Sequence, residues 1–492
     1  MRQRIVAPAA VSLCAALTFA GLSVTATAAE LPKYQILQFC HMSHWFGPVV
    51  GPGSSGLDSV YSINDAGEVT GSCTFSGEWH AMIYSRGVTR DLGTLEGVGW
   101  SWGADINGSG QVAGGSAAPS TVPPGEYGDR AFIYSGGQMT DLGTLGGRYS
   151  TAKAINDAGQ VTGDAETATD QHAFRATPDQ PMEDLGTLGG VESGAADINA
   201  AGQVTGSSRT ASGWTHAFRA APGQPMEDLG VPAGGSSSWG RAINDAGQVT
   251  GVAWVMGNLH AFRATPGQPM EDLGTLGGAD SGAYAISGSG QVVGISHTAT
   301  GASHAFRATP GQPMEDLGTL GGTWSYATNI NAAGQVVGTS EAITPSGFQS
   351  HAFLYDNGVM VDIGKLAFDG NTFANDINDV GQVVGLHVVR WTGPPDEWFE
   401  GDAVLWTPIS LLFSRLLDDV TGVGPGKSLA QKVRIATAYY DANDGPATCA
   451  MLRAFGNEVK AQSGKKKLSR DLAQQLMNDA RTIRVAIGCK GG

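Results

Sequence analysis

The chain predicts an all-β fold, a β-propeller of eight four-stranded blades with seven as the alternative, followed by a small all-α C-terminal domain. Three observations carry this. One hairpin sequence recurs eight times, with its isoleucine at Ile63, Ile106, Ile155, Ile198, Ile243, Ile286, Ile330 and Ile377, and a spacing of 43 to 49 residues. A period in that range, held over most of a chain, marks a solenoid or a propeller. Glycine reaches 73 of 492 residues without a triplet period, so it is spent on turns between many short strands. After Trp406 the glycines and the alternating pattern stop, and apolar residues take up helical spacing.

The unit at residues 150–190 shows how one blade is written. Ala152–Ile155 alternates small and apolar residues as a first strand. Asn156-Asp157-Ala158-Gly159 is a turn, with Gly supplying the positive φ of a tight hairpin. Gln160–Thr162 is the second strand, His172–Ala176 the third and Met182–Leu185 the fourth, and Gly186–Gly190 leads into the next unit. One such sheet cannot bury both faces, and stacking copies around an axis solves this while closure removes exposed edges. A solenoid would need polar terminal repeats, which the sequence lacks. The third strand recurs eight times but the Asp-Leu-Gly fourth strand only seven. Tyr34–Phe39 has the alternation of a strand, and supplies the eighth by completing the last blade from the N-terminus.

Residues 1–29 read as a secretory signal: Arg2 and Arg4, an apolar run from Ile5 to about Leu22, then Ala26-Thr27-Ala28 as the small-x-small cleavage pattern. The run is short for a membrane anchor, and no later segment is long and apolar enough to span a bilayer. The domains are therefore 1–29 signal, 30–408 propeller and 409–492 helical module, in a protein expected outside the cytoplasm, extracellular or periplasmic. Four cysteines remain after the signal: Cys40, Cys73, Cys449 and Cys489. An even count in an exported chain favours disulfides, and the economical pairing of the three possible is Cys40–Cys73 with Cys449–Cys489. The net charge is −16, yet residues 409–492 hold 13 Lys/Arg against 7 Asp/Glu and residues 1–29 hold two Arg, so 30–408 carries −24. That acidic body argues against nucleic acid as a partner.

The ordered elements His-Ala-Phe, Asp-Leu-Gly-Thr-Leu-Gly-Gly and Ile-Asn-x-x-Gly-Gln-Val-x-Gly, over about residues 57–406, resemble the bacterial extracellular HAF repeat. The resemblance implies export and a repeat β fold, and no established reaction. Departures are Arg130 and Asp402 in the His column, Ser287 in the Asn column, and Val231-Pro232 after Asp228-Leu229-Gly230.

The repeated polar residues read as structure. His172, His216, His260 and His304, with Asp184, Asp228, Asp272 and Asp316, recur at fixed positions. Ligands set around a wide ring do not converge on one metal, so each His is expected to make a hydrogen bond within its blade. Asn-Asp-Ala-Gly lacks the alternating acids and closing Glu of a calcium loop. Gly424-Pro425-Gly426-Lys427-Ser428 has Thr421 where a phosphate loop needs Gly. No metal or cofactor is expected. A Ser or Thr stands five residues before the isoleucine in units two to eight, Ser101 to Thr372, and reads as a turn or inter-blade hydrogen bond. Beside it lie Trp100, Trp102, Tyr149, Trp239, Trp324, Tyr326 and Phe373. The connection carrying them shares a face with the variable loop between second and third strands, so these aromatics are the candidate binding residues, with packing between blades as the alternative.

In the C-terminal module, Ile409–Val420 and Leu429–Tyr440 have helical spacing, a third helix starts near Pro446 after the capping Asp444, and a fourth starts at the capping Ser469. If the last two are antiparallel, Cys449 faces Cys489, a staple a small domain needs. The module resembles small disulfide-bearing helical domains at the ends of exported bacterial proteins. Lys465-Lys466-Lys467 falls in its last loop.

The combined reading is a secreted, non-enzymatic repeat protein that binds an extracellular carbohydrate or protein, or scaffolds an interaction. The alternatives are a purely structural surface protein and a polysaccharide hydrolase or lyase. An enzyme would show convergent carboxylates, or a His/Tyr pair, at unrepeated positions near the axis. The sequence sets no oligomeric state.

Overall fold

The computed structural model describes residues 33–45, 62–97, 99–121, 124–364, 370–392, 398–423, 427–464 and 468–490. The signal segment and Lys465-Lys466-Lys467 lie outside these residues. Blade 3 shows the common plan: strands Ser150–Ile155, Val161–Glu166, Gln171–Ala176 and Glu183–Asp184 pair in that order, antiparallel. The hairpin closes by Asn156 N donating to Gln160 O at 3.0 Å and Gly159 N to Asn156 O at 2.9 Å, with Gly159 at φ +74°. Alternation then decides burial. Ile155, Val161 and Phe174 are buried, and the same Phe column, from Phe132 to Phe353, is wholly buried in six blades.

Six separate four-stranded sheets and one set of eight strands account for eight blades. The larger set is blades 6 and 7 joined by one parallel bridge between Ser303 and Trp324. First strands touch in chain order, and that of blade 8 (Asn371–Ile377) touches that of blade 1 (Ser62–Ile63), so the ring closes. The closing strand is the N-terminal one. Tyr34–Trp45 pairs antiparallel with Trp398–Pro408 as the outer strand of blade 8. Cys40 on this strand is joined to Cys73 in blade 1, which ties the closing strand to the next blade along the ring.

Side chains from each blade satisfy main-chain groups of its neighbour. Ala173 N donates to Ser193 Oγ at 2.9 Å, and Ser193 Oγ donates to Gly186 O at 2.5 Å, so one hydroxyl fastens third strand, connecting turn and next blade. Ser101, Ser150, Ser238, Ser281, Ser325 and Thr372 accept in the same way. His172 Nδ1 lies 2.8 Å from Asp184 Oδ1, His216 2.8 Å from Asp228, His260 2.9 Å from Asp272, and His304 2.8 Å from Asp316. The two departures also form charged pairs. Arg130 pairs with Asp141 at 3.8 Å. Asp402 pairs with His41 of the closing strand at 3.0 Å, the usual pair with its members exchanged.

A further column escaped the sequence reading. Arg175, Arg219 and Arg263 are buried, bind Glu183, Glu227 and Glu271 within the blade, and donate to the carbonyls of Gly202, Gly247 and Gly290 in the next. A buried guanidinium needs such a full set of acceptors.

Helices α1 (Ile409–Val420), α2 (Ser428–Asp441), α3 (Gly445–Gln462) and α4 (Arg470–Ala486) follow blade 8 without a linker. Asp444 accepts from Ala447 N at 3.0 Å and Ser469 from Leu472 N at 3.1 Å, the two expected caps. Phe413, Leu416, Val433, Leu452, Phe455, Leu476 and Ile483 form their core, and Cys449 is bonded to Cys489. α1 continues directly from Trp398–Pro408 and is held to blade 8 where Ile409 N donates to the O of Lys33, just before the closing strand, at 2.9 Å and Arg415 Nη2 donates to Oε1 of Gln382 in the inner hairpin turn at 3.1 Å. Among the described residues, no helix is long and apolar enough to cross a membrane.

Candidate functional site

The two ends of the ring differ. At one end lie the hairpin turns after each isoleucine, and here the Asn of the repeat does more than shape its turn. Asn156 Oδ1 accepts from Gln160 N, while its Nδ2 crosses to Asn199 O in the next blade at 3.0 Å. The same crossing runs from Asn64 to Asn107, Asn107 to Asn156, Asn199 to Asn244, Asn244 to Ser287, Asn331 to Asn378 and Asn378 back to Asn64. Seven inter-blade bonds therefore circle the axis, and the gap falls after Ser287, which has no amide to donate.

Acidic residues from several blades line this mouth, a cavity of about 570 Å³ whose lining holds no Lys, Arg or His. Asp157 of blade 3 accepts from Gly108 N of blade 2, and Asp65, Asp245 and Asp379 serve their preceding blades likewise. Just before the isoleucine, blades 2, 4 and 8 carry Asp105, Asp197 and Asp376, and each accepts from its own Ile N–H and that of the next blade. Burial pushes Asp197 up to about 7 and Asp376 up to about 6, and raises Asp105, while the amides oppose the rise. These carboxylates recur at one position of the repeat, and each of their oxygens accepts from a donor: main-chain amides, with Ser62 on Asp105 and Asn329 on Asp376. Among the described residues, no group of three or more His, Cys, Asp or Glu is placed to hold a metal ion.

The opposite end holds the loops. Here every described first strand but the shortest carries a one-residue β-bulge two positions before the isoleucine: Lys153, Ala196, Arg241, Tyr284, Thr328 and Asn375 occupy it, with Ala104 in blade 2. The bulge explains the last glycine of the repeat. A Cβ on Gly163 would collide with the carbonyl of Thr151 on the bulged strand. A bulge re-aims a side chain, and these reach the neighbouring blade. Lys153 Nζ donates to Ala195 O at 2.8 Å and pairs with Asp164 at 2.6 Å, Thr328 Oγ1 donates to Ala374 O at 3.0 Å, and the Arg241 guanidinium sits 4.7 Å from the Tyr284 ring centre. Burial raises the Tyr284 phenol above its ordinary range, against the pull of Arg241.

Because these positions vary, the blades are not equivalent. Blade 4 has Gly194 and Ala196 where blade 5 has Trp239 and Arg241 and blade 3 has Thr151 and Lys153. Two small residues open a notch between two larger neighbours. A cleft of about 780 Å³ lies there, over blades 3 to 5, lined by Lys153, Asp164, Glu192, Ser193, Arg209, Trp239 and Arg241 among others. Glu192 and Arg209 pair at 3.2 Å on its rim. The walls thus offer one indole face, three cationic groups and two carboxylates.

The candidate aromatics do not converge. Trp239 lines the cleft. Trp324 and Tyr326 stack on each other at 6.0 Å in blade 7, with Tyr326 buried. Trp100 is 51% exposed and bonds Asp129 through its indole N–H at 3.2 Å. Trp102 lies against Gly115, where a Cβ would meet its ring. Tyr149 is covered by the Arg148 guanidinium at 5.2 Å, and Phe373 packs on the core shared by blades 8 and 1. What the sequence reading missed is the bulge column. Residue type changes two positions before each isoleucine, but it also changes four positions before it, so nothing in the sequence singles out the bulge.

No protein-family model matches the chain, and no curated protein matches it. Among solved structures it is similar to TolB from Acinetobacter baumannii, at 12% identity over 60% of this chain and 79% of that one, with a TM-score of 0.30. It is similar to a lectin from Burkholderia pseudomallei, at 9% identity over 63% and 97%, TM-score 0.36, and to AofleA from Arthrobotrys oligospora, at 10% over 68% and 90%, TM-score 0.24.

Proposed function

We propose that this is an exported, non-enzymatic repeat propeller of the HAF type that holds an extracellular carbohydrate or protein in the cleft over blades 3 to 5. Residues 1–29 serve as the secretory signal, 30–408 as the binding body and 409–492 as a stapled helical module. The His and Asp columns act as clips within blades. One observation carries the binding assignment: the cleft lies where the repeat departs from itself, at Gly194 and Ala196 between Trp239 and Lys153. Repeated positions maintain the ring, and side chains that differ between copies are free to recognise a ligand. Two disulfides fit a compartment outside the cytoplasm.

The ligand would rest on the Trp239 indole and exchange hydrogen bonds with the polar rim. The test is binding of the full chain to panels of glycans and extracellular proteins. Trp239→Ala is expected to lose the ligand with its melting curve unchanged. A ligand still bound by that variant, or no ligand in either panel, would count against the cleft.

A further inference from the structure

We infer that the cleft takes an acidic saccharide, a sugar ring bearing a carboxylate, with the ring on Trp239 and the carboxylate on Arg241. This rests on the cleft being the binding site. Arg241 is half-buried on the cleft wall, and among the described residues no carboxylate lies within ion-pair distance of it. Its partner is Tyr284, whose ring centre lies 4.7 Å from the guanidinium and whose phenol oxygen takes a hydrogen bond from it. The remaining N–H donors of Arg241 meet no carboxylate among the described residues and are available to a ligand. Arg175, Arg219 and Arg263 elsewhere in the propeller each hold a Glu, and Arg209 on the rim holds Glu192. A half-buried guanidinium stacked on an aromatic ring is pre-organised for two-point binding of a planar carboxylate.

The remaining lining selects the rest of the ligand. Trp239 stands two residues before Arg241 on the same strand, and its face suits the C–H face of a pyranose. Glu192, Gln171 and Ser207 supply acceptors and donors matched to ring hydroxyls. Lys153 is already neutralised by Asp164, so the cleft has one free cationic position and not a basic patch. With −24 on residues 30–408, a densely charged polyanion would be strongly repelled at long range, whereas one carboxylate on a largely neutral sugar is repelled far less.

The experiment is calorimetric titration of the full chain with disaccharides that join one galacturonic, glucuronic or mannuronic acid to a neutral hexose, each beside its methyl ester. The ester keeps the ring and removes the charge. At least one acid should bind, with its ester about tenfold weaker or worse. Arg241→Met should bind acid and ester alike, Arg241→Lys should fall between, and Trp239→Ala should bind neither. The acid–ester comparison on the unaltered protein stands even if Arg241→Met fails to fold. Equal binding of acid and ester overturns the inference, as does binding of none of the acids. A neutral sugar or a peptide bound instead, and lost in Trp239→Ala, would overturn the acidic ligand and leave the cleft as the site. No effect of Trp239→Ala on any bound ligand would overturn both.

Discussion

Ser193 shows how much one small side chain carries in this ring. Its hydroxyl accepts from Ala173 N and donates to Gly186 O, and all three groups lie at a blade boundary. Ser193→Ala would leave a buried amide unpaired, a cost of about 1–3 kcal/mol, read as a lower denaturation midpoint with unchanged slope. Asp197 sets a different dependence. Its folded value of about 7 lies above its ordinary 3.8 because burial disfavours the charge. Its contribution to stability is therefore full below pH 3.8 and lost as pH rises through about 7. Melting curves from pH 4 to 8 should show that loss in the natural protein and a flatter profile in Asp197→Asn. An identical profile in both would mean that Asp197 does not titrate there. The Ser column was legible in the sequence because it repeats. The role of Asp197 was not, because the Asp is present in only some blades and its second partner, the amide of Ile243, belongs to the next one.

At the scale of the blade, alternation and turn chemistry fixed strands and hairpins well enough to read four strands per unit and the closing N-terminal strand. The bulge was not readable. It inserts one residue without changing the alternation visible in a single strand, and shows only once Ala152 and Ala154 are set against Gly163 and Thr162. With it went the cleft, since Lys153 and Arg241 enter that site only through the bulge. The exchanged pair of Asp402 and His41 was hidden for a related reason: its members are 361 residues apart and meet only when the ring closes. The interrupted amide circle gives a direct test of the blade-to-blade bonds. Ser287→Asn restores the missing donor toward Asn331 in blade 7 and should stabilise the fold by roughly 0.5–1.5 kcal/mol, seen as a higher midpoint in chemical denaturation. A lower midpoint would show that the gap between blades 6 and 7 accommodates something other than an absent bond.

The whole molecule depends on one seam. Blade 8 is assembled from both ends of the propeller stretch, and Cys40–Cys73 ties its outer strand to blade 1. A cross-link of this kind contributes about 2–5 kcal/mol in small exported domains. Replacing both cysteines by Ser should lower the melting temperature and expose the amides of residues 34–41 to hydrogen exchange before the rest of the ring opens. Uniform exchange across all blades would show that the closing strand is held without the disulfide. The helical module continues from the same blade, so the seam also fixes where it sits.

The central claim is that binding occupies the break in the repeat and not the repeat itself. Hydrogen–deuterium exchange of the full chain with a ligand found in the panels tests it most directly. Protection is expected at residues 192–196, 206–209 and 239–241, with the turn mouth around Asn64, Asn156 and Asn378 unchanged. Protection confined to that mouth, or to Trp324 and Tyr326 in blade 7, would contradict it.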